Sequence, residues 1–499
     1  MTSRRDSTPG PAAAGAAGAS QAACRAGPVL LFETDWLGSR PVYYNERTGR
    51  ASRVINDVID FAELEFDPEG FNAYLGTGFS VFGHTVVRDV RYLPPSTRLW
   101  REPDGRLRVE AVPLDLESRL EVRHSEDEVV ELLRTRVRAA EAAAEGEIVI
   151  PTSGGYDSRL LNLMVGDRRR IRSFTFGPSE RQWDSVEVTR ARALAELLGT
   201  RWERIHLSRF HDYLDAWDDA FGPALHAHGM YQMEFYEQVR MRVAGGTLVL
   251  SGLFGDWFEG KGDQWTPPVT SPADVRTLIF TFNQHADIRA SRIPWTGALC
   301  ERYFEEKREV FAVHRLRCVE AVRFRMMILH YLARVPELYG FHVDTPFLDL
   351  DVATAMLTLP DERRHHRQWV TERLRAEKAL LEDAGGTNLY WLYWPAMRRQ
   401  PLAPLDAERL AEVVDPGYVR WINRTVSWRG LWWEGYERLG QRHGFRRAYA
   451  WLSAHGLRQR RLDAYHAYMT LRPIQRLLEK RDAARRGEPV RTTGDEAAT

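Results

Sequence analysis

The stretch IVIPTSGGYDSRL, Ile148 to Leu160, constrains this chain more than any other. Three consecutive apolar residues, Ile148, Val149 and Ile150, read as a buried strand that Pro151 ends. Ser153, Gly154 and Gly155 then open into the N-terminus of a helix. The glycines let backbone N–H groups approach oxygen atoms closely, Ser153 and Ser158 add hydroxyl donors, and the helix N-terminus adds positive partial charge. That is the make-up of a phosphate cradle. Asp157 is the odd member, because a carboxylate beside phosphate is repelled unless a divalent cation such as magnesium lies between them. Gly and Ser also favour a plain strand-to-helix turn, and a bare SGG does not separate the two readings.

The surrounding sequence alternates between strand and helix. RIRSFTF reads as a strand, DSVEVTRARALAELLG as a helix closed by Gly199, RWERIHL as a strand, YQMEFYEQVRMRVAGG as a helix and TLVLSG as a strand. Such alternation implies a parallel sheet covered on both faces, whose ligands bind outside the carboxyl ends of the strands. SGGYDS falls at such an end. Upstream, SEDEVVELLRTRVRAAEAAAE (125–145) has acids early, arginines late and Val/Leu at helical spacing, the pattern of an amphipathic helix. Residues from about 270 to 479 read as a helical extension. Residues 28 to about 116 are short, apolar and punctuated by turns (PVLLFET, RPVYYNERTG, RLWREPDGRLRVE), as expected of a small β-rich domain.

At 499 residues the chain is too long for one ordinary core, so two domains are expected. We divide it into a β-rich domain at 28–118 and an α/β domain with a helical extension at 119–479. The tails at 1–27 and 480–499 are expected to be disordered. Lys and Arg number 69, as do Asp and Glu, and this balance gives no reason to invoke nucleic acid. The Arg-dense RHGFRR and RQRR read as solvated helix faces. Cys24, Cys300 and Cys318 show no paired or metal-ligand spacing, so neither a disulfide framework nor structural zinc is expected, and a reduced cytosol fits. The first residues lack the apolar core of a signal peptide, and no stretch approaches membrane-spanning length. A cytoplasmic protein without a membrane partner is therefore expected.

A second stretch, LVLSGLFGDWFEG (Leu248–Gly260), repeats the scheme of a buried strand, a small-residue turn and an acid. Two such strand ends place Asp157 and Asp256 where they could share one magnesium on a pyrophosphate.

SGGYDS resembles the SGGxDS pyrophosphate loop of the ATP pyrophosphatases, and in particular of the asparagine synthetase family; the P-loop pattern GxxxxGK[ST] does not occur. Three further blocks resemble that family in order. They are SFTFGPSERQWDSVEVTRARALAELLG, the SGLFGD segment, and TPFLDLDVATAMLTLP (345–360). DWLGSRPVYYN and RYLPPSTRLW resemble the later half of a class II glutaminase domain. The resemblance implies an ATP pyrophosphatase-type (adenine nucleotide hydrolase-like) synthetase domain behind a truncated, degenerate glutaminase-like domain. It implies that Ser153, Gly154, Gly155, Asp157 and Ser158 hold the ATP pyrophosphate, that Phe176 and Gly177 lie near the nucleotide, and that Ser251 and Gly252 border the adenosine. Asp157 and Asp256 are then the magnesium-side carboxylates. Asp184 is either near the nucleotide or a helix N-cap, and Phe347 and Leu348 read as core.

The departures from the family bear on the substrate. The family's glutamate two residues after the second-block Ser is Leu253 here, and Trp257 follows Asp256 where Glu is usual. The glutaminase's N-terminal cysteine has no counterpart, Cys24 standing in a different context. A lysine that follows the PFLD block and neutralises phosphate charge has no clear equivalent. Arg398 and Arg399 in PAMRRQPLAP are the nearest candidates for that catalytic charge, with Lys261 and Lys378 as further options. The expected activity is that of an AMP-forming C–N ligase using ATP and magnesium. It would join a small-molecule or peptide carboxylate, other than aspartate, to an amine without glutamine hydrolysis, as in the related β-lactam synthetases and lasso-peptide cyclases. A partner protein delivering the substrate is compatible with this. The alternatives are a non-catalytic nucleotide-binding descendant with a regulatory or scaffold role and an ammonia-using asparagine synthetase.

Overall fold

The computed structural model describes residues 27–279, 285–386, 392–427 and 460–490. The expected tail at 1–27, the RHGFRR cluster and residues 491–499 fall almost entirely outside these.

The N-terminal region carries six short strands: β1 (Val29–Glu33), β2 (Tyr43–Asn45), β3 (Ala51–Ser52), β4 (Val90–Tyr92), β5 (Thr97–Arg101) and β6 (Leu107–Ala111). They form two three-stranded antiparallel sheets, ordered β1-β5-β6 and β3-β2-β4. A small core of Val42, Leu93 and Leu99 lies here. Helix α1 (Pro68–Thr77) starts on an Asp67 side chain that accepts from Gly70 N–H and ends at Gly78, where φ is +81°. Its Phe71, Tyr74 and Leu75 belong to the same contiguous core as the central strands. Trp36 Nε1 donates to Leu348 O at 2.8 Å, and Tyr74 Oη to Thr470 O at 3.0 Å. The β-rich region is thus packed onto the rest of the molecule.

Helix α2 (Glu126–Ala143) leads into the central sheet. Ser125 and Glu128 form a reciprocal capping box, and Val129, Val130, Leu133 and Val137 bury one face. The sheet has five parallel strands: β7 (Ile148–Pro151), β8 (Ile171–Phe176), β9 (Arg201–Ile205), β10 (Leu248–Leu250) and β11 (His342–Asp344), in the order β11-β10-β7-β8-β9. Ile148, Val149, Ile150, Leu248, Val249 and Leu250 are buried, as strands covered on both faces require. Four of these strands and their order of appearance agree with the sequence reading, except that Pro151 still pairs with Phe174 as the last residue of β7. The three-residue β11 is too short to announce itself by alternation.

Between the strands run α3 (Tyr156–Met164), α4 (Val186–Leu198, closed by Gly199 at φ +67°) and α5 (Tyr231–Arg240). The helical extension includes α6 (His314–Leu329), α7 (Leu350–Leu357), α8 (Gln368–Ala376), α9 (Tyr393–Arg399) and α10 (Arg460–Arg485). Phe347 and Leu348 are buried just before α7, as core residues. The disordered tail expected from residue 480 is corrected by α10. Lys480 pairs with Asp219 at 3.1 Å and Arg481 with Glu412 at 2.7 Å, so the charged run RDAAR continues the helix to Arg485. No helix among the described residues is long and apolar enough to cross a membrane.

Candidate active site

Strand order determines where a ligand can bind. From β7 the chain moves outward to β8 and β9 on one side, and later to β10 and β11 on the other. Such a reversal leaves a crevice outside the carboxyl ends of the two central strands. The two strands concerned are β7 and β10, which end in SGGYDS and SGLFGD.

The two loops interlock. Asp256 N–H donates to Asp157 Oδ2 at 2.9 Å. A Cβ on Gly252 would meet Asp157 Cβ at 2.9 Å, and one on Gly255 would meet Asp157 Cγ at 2.9 Å, so the second loop needs glycine because the first passes directly against it. Within the first loop Gly155 N–H donates to Ser153 Oγ at 3.1 Å, and Ser153 N–H to Ser158 Oγ at 3.3 Å. Gly155 stands at the N-cap of α3 without a capping side chain. The buried Arg159 donates to Gly154 O at 2.5 Å and to Ala379 O at 3.2 Å, tying the loop to the segment after α8.

A cavity of about 870 Å³ opens over both loops. Ser153, Gly154, Gly155, Asp157, Ser158 and Phe176 line it from one side, and Ser251, Gly252 and Asp256 from the other. Gly177 is not among the lining residues. A Cβ there would fall 2.0 Å from Gln182 O, so its glycine serves a close backbone approach. Asp184 does not line the cavity either, and it is not the N-cap. That position belongs to Ser185, while Asp184 accepts from Ser179 Oγ at 3.3 Å.

Asp157 and Asp256 line the cavity, and the fully buried Glu259 lies outside its lining. Asp157 Oδ1 lies 3.0 Å from Arg367 Nη2, Arg367 Nε donates to Glu259 Oε2 at 2.9 Å, and Lys261 Nζ pairs with Asp256 Oδ2 at 2.7 Å. Glu259 is fully buried, and its Oε1 has no hydrogen-bond partner among the described residues. Burial, followed by the neighbouring Glu259 and Asp256 carboxylates, pushes Asp157 well above the usual carboxylate range, against the pull of Arg367. Burial likewise raises Glu259, again opposed by Arg367.

Arg367 comes from a turn that sequence patterning does not reveal. His366 and Arg367 both have left-handed backbone, φ +51° and +59°, a strained arrangement for non-glycine residues. The turn crosses the segment after Asp256 at Gly260, where φ is +130° and a Cβ would lie 2.0 Å from Arg364 O. The Arg367 guanidinium also sits 4.4 Å from the Tyr156 ring centroid.

Arg398 and Arg399, read from the sequence as the catalytic cations, are not brought to the cavity. Both are exposed on α9, and Arg398 lies 3.4 Å from Glu180. Lys378 is exposed and is not a lining residue, whereas Lys261 is one. The cations at the acids are therefore Arg367 and Lys261. Arg367 lies in RRHHRQW, which reads as a solvated charged run. Glu259 had a usable signal, standing three residues after Asp256 in FGDWFEG.

Much of the remaining lining is apolar. Leu253, Phe254, Trp257, Trp265, Leu329 and Leu332 belong to it, and the buried Arg325 lies 4.0 Å from the Trp257 ring centroid. Burial lowers Arg325 to about 10, still charged at neutral pH. Phe176 packs against Tyr231 and Phe235 at 5.4 and 5.6 Å between centroids, forming an aromatic side wall. No protein-family model matches the chain, and no curated protein matches it.

Proposed function

We propose that this chain is an ATP-dependent, AMP-forming amide ligase of the ATP pyrophosphatase type, resembling the asparagine synthetase family. The observation that carries the reading is the meeting of the two strand-end loops at the β7/β10 switch point. Glycines and serines face the Asp157 and Asp256 carboxylates there within one cavity.

In this reading the loop at Ser153–Ser158 and the start of α3 receive the pyrophosphate portion of ATP through N–H and hydroxyl donors. The carboxylates that line the cavity beside it are those of Asp157 and Asp256, and such hard oxygen donors fit magnesium. Asp157 and Asp256 would hold the ion. Magnesium when bound supplies positive charge across the polyphosphate. Arg367 and Lys261 add fixed cations where negative charge grows as pyrophosphate leaves. Arg367 acts there by charge, since a guanidinium keeps its proton.

The reaction itself would form a bond from a substrate carboxylate oxygen to the α-phosphorus of ATP, with pyrophosphate as leaving group. An amine nitrogen then attacks the acyl carbon, AMP departs, and the amine loses one proton. Leu253 stands where an acidic contact to an amino acid acceptor would be needed, and with Trp257, Leu329 and Leu332 it favours an acid with a substantial apolar part. The apolar acceptor side favours an amine brought in by a substrate over one released from glutamine.

A second reading has one specific observation in its favour. Both Asp157 oxygens are engaged by the protein itself, through Arg367 and Asp256 N–H, as in a nucleotide module that has given up chemistry. Exchange of radiolabelled pyrophosphate into ATP across a panel of carboxylic acids separates the two. The ligase reading expects acid-dependent exchange and AMP formation that Asp157→Asn removes. Absence of both across a broad panel would overturn it.

A further inference from the structure

Behind the Trp257 wall lies a group of side chains that the ligase reading does not use. We infer that Asp263, His314 and Cys318 form a binding site for a divalent cation of the zinc class, distinct from the acids that line the cavity. Among the described residues these three place their ligand atoms within 4.8 Å of one another. Cysteine spacing alone gave no hint of it, because the partner of Cys318 is His314, four residues earlier on the same face of α6.

Two of the three separations suit a metal, and the third is a hydrogen-bond distance. Asp263 Oδ1 lies 3.0 Å from His314 Nε2 and 3.6 Å from Cys318 Sγ, and Sγ lies 3.8 Å from Nε2. Ligands of a tetrahedral ion with bonds of about 2.0–2.3 Å stand roughly 3.3–3.8 Å apart. One sulfur, one imidazole nitrogen and one carboxylate oxygen make a borderline-soft set that selects zinc-like dications over magnesium.

A catalytic relay explains the group less well. In a Cys–His–acid relay the acid holds the ring nitrogen opposite the nucleophile. Here Asp263 and Cys318 face the same nitrogen, Nε2, so the three atoms converge on a point instead of forming a chain. Arg364 Nη2 forms an ion pair with the same Asp263 Oδ1 at 3.0 Å. The His314 side chain is 42% exposed and that of Asp263 22%, which gives an ion an entry route and leaves room for water as fourth ligand.

The site joins α6 to the segment that carries the acids. Asp263 follows Lys261 by two residues, and Trp257 Nε1 donates to Cys318 O at 3.2 Å. A bound cation would therefore brace the cavity wall. Two contacts work against ligation. The fully buried Arg364 guanidinium lies 3.0 Å from the same Asp263 Oδ1 that would ligate and already offsets its charge. Arg317 Nη2 lies 3.0 Å from His314 Nδ1 and favours an unprotonated Nδ1, whereas a neutral ring binding metal through Nε2 carries its proton there.

The test is a titration of the chelator-stripped full chain with Co2+ in the presence of excess Mg2+, read by d–d bands and by the near-ultraviolet thiolate-to-cobalt absorption. The expected result is one equivalent bound, with a thiolate band that Cys24→Ser/Cys300→Ser retains and Cys318→Ser loses. Asp263→Asn should weaken binding at least about tenfold, and Arg317→Gln, which lets residue 317 accept from Nδ1–H, should strengthen it. Circular dichroism checks that each variant folds, and the double cysteine variant keeps the test decisive should Cys318→Ser unfold. Absence of stoichiometric Co2+ binding by the full chain, loss of the thiolate band in Cys24→Ser/Cys300→Ser, or its survival in folded Cys318→Ser would overturn the proposal.

Discussion

The loops at the ends of β7 and β10 lie side by side and present opposite chemistries. The first offers exposed Ser153 and Gly155 at a helix N-terminus, and the second offers Leu253, Phe254 and Trp257 around one acid. Each conforms to the other, since Gly252 and Gly255 leave the space that Asp157 fills. Under the proposed ligase function the two ends would divide the labour, the β7 end taking phosphate and the β10 end the organic substrate. A strand end thus fixes where a loop sits, while its side chains decide what the loop binds.

The largest effect should come from the polar side. Asp157→Asn removes the carboxylate that both loops surround, and acid-dependent pyrophosphate exchange should fall about 10²–10³-fold while far-ultraviolet dichroism stays unchanged. If exchange persisted, the division between the loops would fail. Arg367→Gln tests whether the remote turn belongs to the same unit. It leaves the fully buried Glu259 and the largely buried Asp157 without their cation, so unfolding free energy should drop by about 3–5 kcal/mol, measured in urea. Exchange in the folded variant should fall about 10²-fold.

Proton competition supplies an intermediate effect. Asp157 and Glu259 are raised by burial and by neighbouring carboxylates, so in the folded chain they hold protons at pH values where the unfolded chain has lost them. The ligand-free protein should therefore lose stability as pH rises through those raised values, because the unfolded state then binds fewer protons. A dication needs the ionised forms, so magnesium-dependent ATP affinity should climb over the same range. Thermal melts and calorimetry at stepped pH check both directions, and a flat profile would contradict the crowded-acid picture.

A smaller, selective change is expected on the apolar side. Leu253→Ala deletes part of the acceptor wall and should shift the preference between large and small acids by roughly tenfold, with little effect on ATP binding. An equal loss for all acids would remove the distinction between the loops. Smallest of all, Arg398→Ala on the exposed face of α9 should leave exchange within about twofold of the parent chain.

Much of this comparison was legible in the sequence, for a physical reason. Ile148–Pro151 and Leu248–Leu250 are contiguous buried strands, and the small residues after them must turn, so both ends of the crevice announce themselves locally. Gly199, Ser125 and Glu128 mark helix ends by the same local logic. Arg367 was hidden because its role depends on a left-handed turn crossing Gly260, and RRHHRQW by itself resembles a solvated surface. Arg398 and Arg399 were misread for the complementary reason: position in sequence suggested proximity that packing does not supply. The charged residues after 480 looked like a tail until Asp219 and Glu412 proved to lie opposite them.

In the proposed function the β7 and β10 loops together make a magnesium-dependent ATP site. Calorimetric titration of the full chain with ATP, with and without Mg2+, and beside Asp157→Asn, tests it most directly. Binding should strengthen with Mg2+ in the parent chain and lose that dependence in Asp157→Asn. Binding indifferent to Mg2+, or unchanged by Asp157→Asn, would contradict it.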